Sequence, residues 1–122
     1  MLKIYIIILS FLLMSCDNHT NYQDEKLKEY FHNQWEKVLE NYPEYATYLG
    51  DHRYNSRLTD MSIEAVLKRH IQTKESYKAI LAINRTQLSS KYKLYFDLYT
   101  DNLNREIERQ QFKDYFMPIN QM

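Results

Sequence analysis

Ser89-Ser90-Lys91-Tyr92-Lys93-Leu94-Tyr95-Phe96-Asp97-Leu98-Tyr99-Thr100-Asp101-Asn102-Leu103-Asn104-Arg105-Glu106-Ile107 carries large apolar side chains at a helical interval. Tyr92, Tyr95, Phe96, Tyr99, Leu103 and Ile107 recur at steps of three and four, which lines one face of an α-helix. The other face holds Lys91, Lys93, Asp97, Asp101, Arg105, Glu108 and Arg109, a mixture of signs that reads as solvated surface. The spacing predicts a helix from about Ser89 to Phe112, with Ser89 as its cap.

Two segments upstream have the same period. From about Asp24 to Asn41, Leu27, Phe31, Trp35 and Val38 form a stripe, and Asp24 and Glu25 fall in the first turn, where the helix dipole favours acids. Pro43 ends or kinks that helix. From about Ser62 to Ile83, Ile63, Val66, Leu67, His70, Ile71, Tyr77, Ile80 and Leu81 make one broad stripe. Asp60 or Ser62 supplies its cap, and Asn84 suits a left-handed end. No stretch alternates as a strand does. The fold expected is all-α: an antiparallel helical hairpin or bundle of three main helices after a signal peptide.

Composition agrees and narrows the function. The 122 residues include one Gly, two Pro and one Cys, and 16 Lys and Arg balance 16 Asp and Glu. Zero net charge gives no electrostatic basis for nucleic-acid binding. A single Gly excludes Gly-rich phosphate loops, and a single Cys excludes an internal disulfide or a multi-thiolate zinc site. Twelve Tyr, five Phe and one Trp are more rings than a small bundle covers well. Either many tyrosines lie half exposed or another layer of protein packs on them.

The first 15 residues read as a signal peptide. Lys3 precedes an apolar run, Ile4 to Met14, broken only by Ser10; this is shorter than the roughly 20 residues a membrane-spanning helix requires. Leu13-Met14-Ser15-Cys16 resembles the lipobox of bacterial lipoproteins, with Leu three before the Cys and a small residue one before it. The resemblance implies diacylglycerol attachment to Cys16, cleavage before it, and a lipid anchor in a membrane of the bacterial cell envelope. Residues 16–23 then form a polar lipidated tether, and residues 24–122 the helical part.

Between the first two helices lies Pro43-Glu44-Tyr45-Ala46-Thr47-Tyr48-Leu49-Gly50, followed by Asp51-His52-Arg53-Tyr54-Asn55-Ser56-Arg57-Leu58. Pro43 suits the first position of a short helix and Gly50 its left-handed cap; an irregular polar loop follows. Pro43, Ala46, Thr47, Leu49, Gly50, Arg53, Tyr54, Leu58 and Asp60 together resemble the start of the bacterial "domain of unknown function 885" family. Pro118-Ile119-Asn120-Gln121-Met122 resembles a second motif of that family, at a fitting distance. The resemblance implies a secreted or lipid-anchored protein and a mostly helical fold akin to zinc metallopeptidases. It places the zinc, on a His-Glu-x-x-His helix, well downstream of the second motif. His19, His32, His52 and His70 supply no such pair: none precedes Glu and no two are four apart. The chain therefore reads as the N-terminal part of such a protein, without its catalytic region.

Other candidates carry bland readings. His52, between Asp51 and Arg53, reads as a loop residue, His70 as a boundary histidine and His32 as surface, while His19 falls in the tether. Glu36, Glu40 and Glu44 read as a solvated acidic face, and the Lys91–Tyr99 mixture of bases and rings as core. No catalytic, cofactor-binding or metal-ligating residue is assigned; Cys16 is the lipid-attachment site. The expectation is a lipid-anchored envelope protein equivalent to the helical scaffold of a metallopeptidase-like family, without catalysis of its own. Its partners are the membrane, through Cys16, and the remainder of such a protein. The alternative is a small lipoprotein that binds a protein partner through a Tyr-rich surface.

Overall fold

The computed structural model describes residues 21–113 and Phe116, and is helical with no strand among the described residues. Four α-helices follow one another: α1 (Tyr22–Asn41), α2 (Pro43–Tyr48), α3 (Ile63–Leu81) and α4 (Ser90–Arg109). Short 3-10 turns occupy His52–Tyr54, Arg85–Gln87 and Gln110–Phe112. The all-α bundle of three long helices is as expected from the periodicity. Cys16, the expected signal peptide and the first part of the expected tether (residues 1–20), and Pro118 to Met122 lie outside the described residues.

The helices run up, down and up. Tyr30 Oη donates to the Ser76 carbonyl at 2.9 Å and Asn41 Nδ2 to Gln72 Oε1 at 3.0 Å, so α1 and α3 are antiparallel. Ser89 N–H donates to Asp24 Oδ1 at 2.9 Å, and the Phe31 and Tyr99 rings lie 5.1 Å apart, so α1 and α4 are parallel. The connection of residues 82–89 turns α3 back into α4. Leu27, Tyr30, Ile80, Ile83, Leu88, Phe96 and Leu103 fill the seam, with Phe31, Tyr77, Tyr92 and Tyr99 packed at its border. Burying each such side chain contributes about 1.5–3 kcal/mol. Edge-to-face contacts of the Tyr30 and Phe31 rings with Tyr99 hold α1 on α4.

The helix ends follow local chemistry. Asn21 caps α1 by accepting from Gln23 N–H, and Ser62 caps α3 by accepting from Ala65 N–H. Two expected caps act differently. Asn84 has φ −76°, not a left-handed value, and its Oδ1 instead accepts from Thr86 N–H to start the next turn. Ser89 precedes α4 but makes no side-chain capping bond; its own N–H is held by Asp24. Gly50 has the one left-handed glycine backbone, φ 86°, as its position after α2 requires.

The apolar stripes also divide more finely than the period shows. On α3, Val66 and Ile80 are buried while Ile63, Leu67, Ile71 and Leu81 are exposed. The broad stripe is thus an inner seam and an outer one on adjoining faces. On α1, Trp35 is exposed and rests edge-on against Tyr45. Tyr30, one residue before the Phe31 of the stripe, takes the core position instead, because its hydroxyl finds the Ser76 carbonyl.

Candidate functional site

Residues 51–62 are strapped across the end of α1 by polar contacts. Asp51 Oδ1 accepts from Arg53 N–H and both its oxygens accept from the Arg53 guanidinium, which also reaches Glu36 Oε2 at 2.8 Å. Arg57 Nη2 donates to the Glu40 carbonyl at 3.5 Å. Glu44 accepts from both the N–H and the hydroxyl of Thr59, and Arg69 Nη1 donates to the Asp60 carbonyl at 2.7 Å. The Tyr54 ring is flanked by the Arg53 and Arg57 guanidiniums at 5.3 and 4.9 Å. Hydrogen bonds from Arg53 hold the Glu36 and Asp51 carboxyls below their ordinary range. Those from Thr59 do the same for Glu44, and those from Ser62 for Asp60.

Of the expected acidic face, the Glu36 and Glu44 carboxylates hold the loop, whereas Glu40 contributes only its backbone carbonyl and its exposed side chain is solvated. Among the nine motif positions, Pro43 is buried at the start of α2 and Ala46 is fully buried. Thr47 Oγ1 bonds the Pro43 carbonyl and Asn55 Oδ1. These residues set the path of the loop. Leu58 is the outlier: it is 80% exposed, with Met61 exposed nearby in the chain.

The loop borders a cleft of about 530 Å³ whose lining includes Glu40, Asp60, Glu64, Arg57, Lys68 and Arg69. Three acids and three bases balance, so the cleft selects neither anion nor cation. His52 Nδ1 lies 3.2 Å from Asn55 Nδ2, and His32 is exposed on α1. His70 is half-buried, and its backbone carbonyl accepts from Gln110 Nε2 at 3.5 Å. Among the described residues no three His, Cys, Asp or Glu side chains converge as a metal site would require. No helix among them is long and apolar enough to cross a membrane.

The least ordinary feature is apolar. Leu67 and Ile71 of α3 are 44% and 58% exposed. With Ile107 of α4 they line a groove of about 510 Å³ that also holds exposed Lys74 and Lys113. No residue of α1 lines it, so it lies outside the seam that closes the bundle. A second patch, Phe31, Tyr95 and Leu98, opens between α1 and α4. The sequence reading placed Leu67 and Ile71 in the core stripe and passed over Leu94 and Leu98, which are exposed. Their i, i+4 spacing on the charged side of α4 was the available signal. Covering the exposed half of a Leu or Ile is worth about 1 kcal/mol per side chain, and contiguous apolar surface of this kind marks interaction sites.

No protein-family model matches this chain, and no curated protein or solved structure does.

Proposed function

We propose that this chain is a lipid-anchored protein of the bacterial cell envelope whose helical bundle serves as a scaffold and docking element, without catalysis of its own. The observation that carries the reading is the exposed aliphatic row of α3, Leu67 and Ile71 above all, beside a core that other residues of the three long helices form. A row of aliphatics left outside that core is surface for another polypeptide to cover. In the family that the Pro43–Asp60 motif resembles, the bundle corresponds to the N-terminal helical part, and the covering layer to the remainder of a metallopeptidase-like protein. The anchor is a diacylglycerol on Cys16.

A second reading, a small lipoprotein that binds a separate protein, is favoured by the exposure of Tyr22, Tyr42, Tyr45, Tyr48 and Tyr95, since tyrosine is enriched at interfaces. The first reading requires a protein on the aliphatic row of α3. Extraction of membranes in mild detergent followed by native electrophoresis tests this. The chain is expected in a complex larger than itself, and Leu67→Lys/Ile71→Lys is expected to return it to its own size. A chain that runs at its own size in both cases contradicts the proposal.

A further inference from the structure

The groove between α3 and α4 has a chemistry that specifies what covers it. Leu67, Ile71 and Ile107 give it three aliphatic walls, and among the described residues its charged lining consists of Lys74 and Lys113, with no carboxylate. Neither lysine takes part in a salt bridge among the described residues. Two antiparallel helices with an apolar channel between them make the seat that an amphipathic helix occupies, its apolar side chains at i, i+4 and i+7 entering the channel. Within the bundle, α1 already packs in this manner on the other side of α3 and α4, with Leu27, Tyr30 and Phe31 at the seam.

We propose that the α3–α4 groove receives an amphipathic helix of a protein partner whose flanks are acidic. Leucine-sized side chains fill the space between Leu67, Ile71 and Ile107, and flanking Glu or Asp carboxylates meet Lys74 and Lys113. The inference rests on the docking reading given above and adds the chemistry of the partner. Charge complementarity favours a protein helix that presents acids at two fixed points. The two lysines contribute direction and selectivity more than affinity, because exposed ion pairs are individually weak.

The test uses the purified full chain in phosphatidylcholine nanodiscs and two fluorescein-labelled amphipathic helical peptides of about 18 residues, long enough to hold a helix. Both carry the same leucine stripe; one has Glu on its flanks and the other Lys. Anisotropy is expected to show the Glu peptide binding about tenfold more tightly than the Lys peptide. Lys74→Glu/Lys113→Glu is expected to reverse that order, and Leu67→Lys/Ile71→Lys to abolish binding of both. Circular dichroism melts confirm that each variant folds, which surface substitutions allow. Equal affinity for the two peptides, or no reversal in the charge-swapped variant, overturns the proposal. So does binding of phosphatidylglycerol vesicles in place of the peptides, or a concentration-dependent dimer that the Leu67→Lys/Ile71→Lys change dissolves. If neither peptide binds while the membrane complex still depends on Leu67 and Ile71, the docking reading stands and the acidic helix alone is refuted.

Discussion

Ile80 and Ile71 offer a controlled comparison. They are the same residue on the same helix, yet Ile80 is 0% exposed in the seam and Ile71 is 58% exposed on the outer row. Truncating Ile80 to Ala removes three carbons from a site walled by the α1 and α4 side chains. Such a change costs 2–5 kcal/mol, and about 3 is expected here because the site is fully enclosed. For a domain of this size each kcal/mol moves Tm by about 4–8 °C, so a fall of about 12–24 °C follows. Ile71→Ala loses little packing and gains a few tenths of a kcal/mol of helix propensity, so its Tm is expected within about 3 °C of the parent chain. Thermal unfolding followed at 222 nm reads both. Equal losses from the two substitutions would refute the separation of α3 into an inner and an outer seam, and with it the exposed face.

Further outcomes are fixed by individual contacts. Gly50→Ala is expected to destabilise by about 1 kcal/mol in urea unfolding: nothing lies within 4 Å of an added Cβ, so the penalty is the left-handed backbone alone. Tyr30→Phe removes the hydrogen bond to the Ser76 carbonyl and is expected to cost about 1 kcal/mol. Burial pushes the Tyr30 hydroxyl well above its ordinary value of 10.0. The stabilisation it gives is complete below that value and is lost as pH rises beyond it, so the Tyr30→Phe variant is expected to show a shallower alkaline loss of stability. Glu36, Glu44, Asp51 and Asp60 titrate in the opposite sense. Their lowered values stabilise the fold above the ordinary carboxylate range and the contribution disappears as pH falls through the folded values. Limited proteolysis should therefore open residues 51–62 in acid before the core melts. Cys16→Ser is expected to abolish incorporation of labelled palmitate and to move the protein from the membrane to the soluble fraction.

The helices were legible because their apolar period is long and their punctuation is strong: Pro43, Gly50 and Ser62 each act as their chemistry dictates. What escaped is what period alone cannot resolve. A stripe as broad as Ile63–Leu81 contains two adjoining faces, and only the position of α1 shows that Val66 and Ile80 face inward while Leu67 and Ile71 do not. The roles of Glu36 and Glu44 escaped for another reason. Their partners, Arg53 and Thr59, lie 17 and 15 residues away in the chain, beyond any local pattern. Tyr30 was missed because the partner that makes a buried hydroxyl acceptable is a backbone carbonyl on another helix. The groove combined both difficulties, since Ile107, Lys74 and Lys113 meet only after α3 and α4 are folded back on each other.

The most direct test is photocrosslinking in living cells from a benzophenone amino acid placed at Ile71, with Glu29 on α1 as the control position. A discrete protein adduct from position 71, absent from position 29, is the result expected of a docking scaffold. Crosslinks to lipid alone, or the same adducts from both positions, would contradict it.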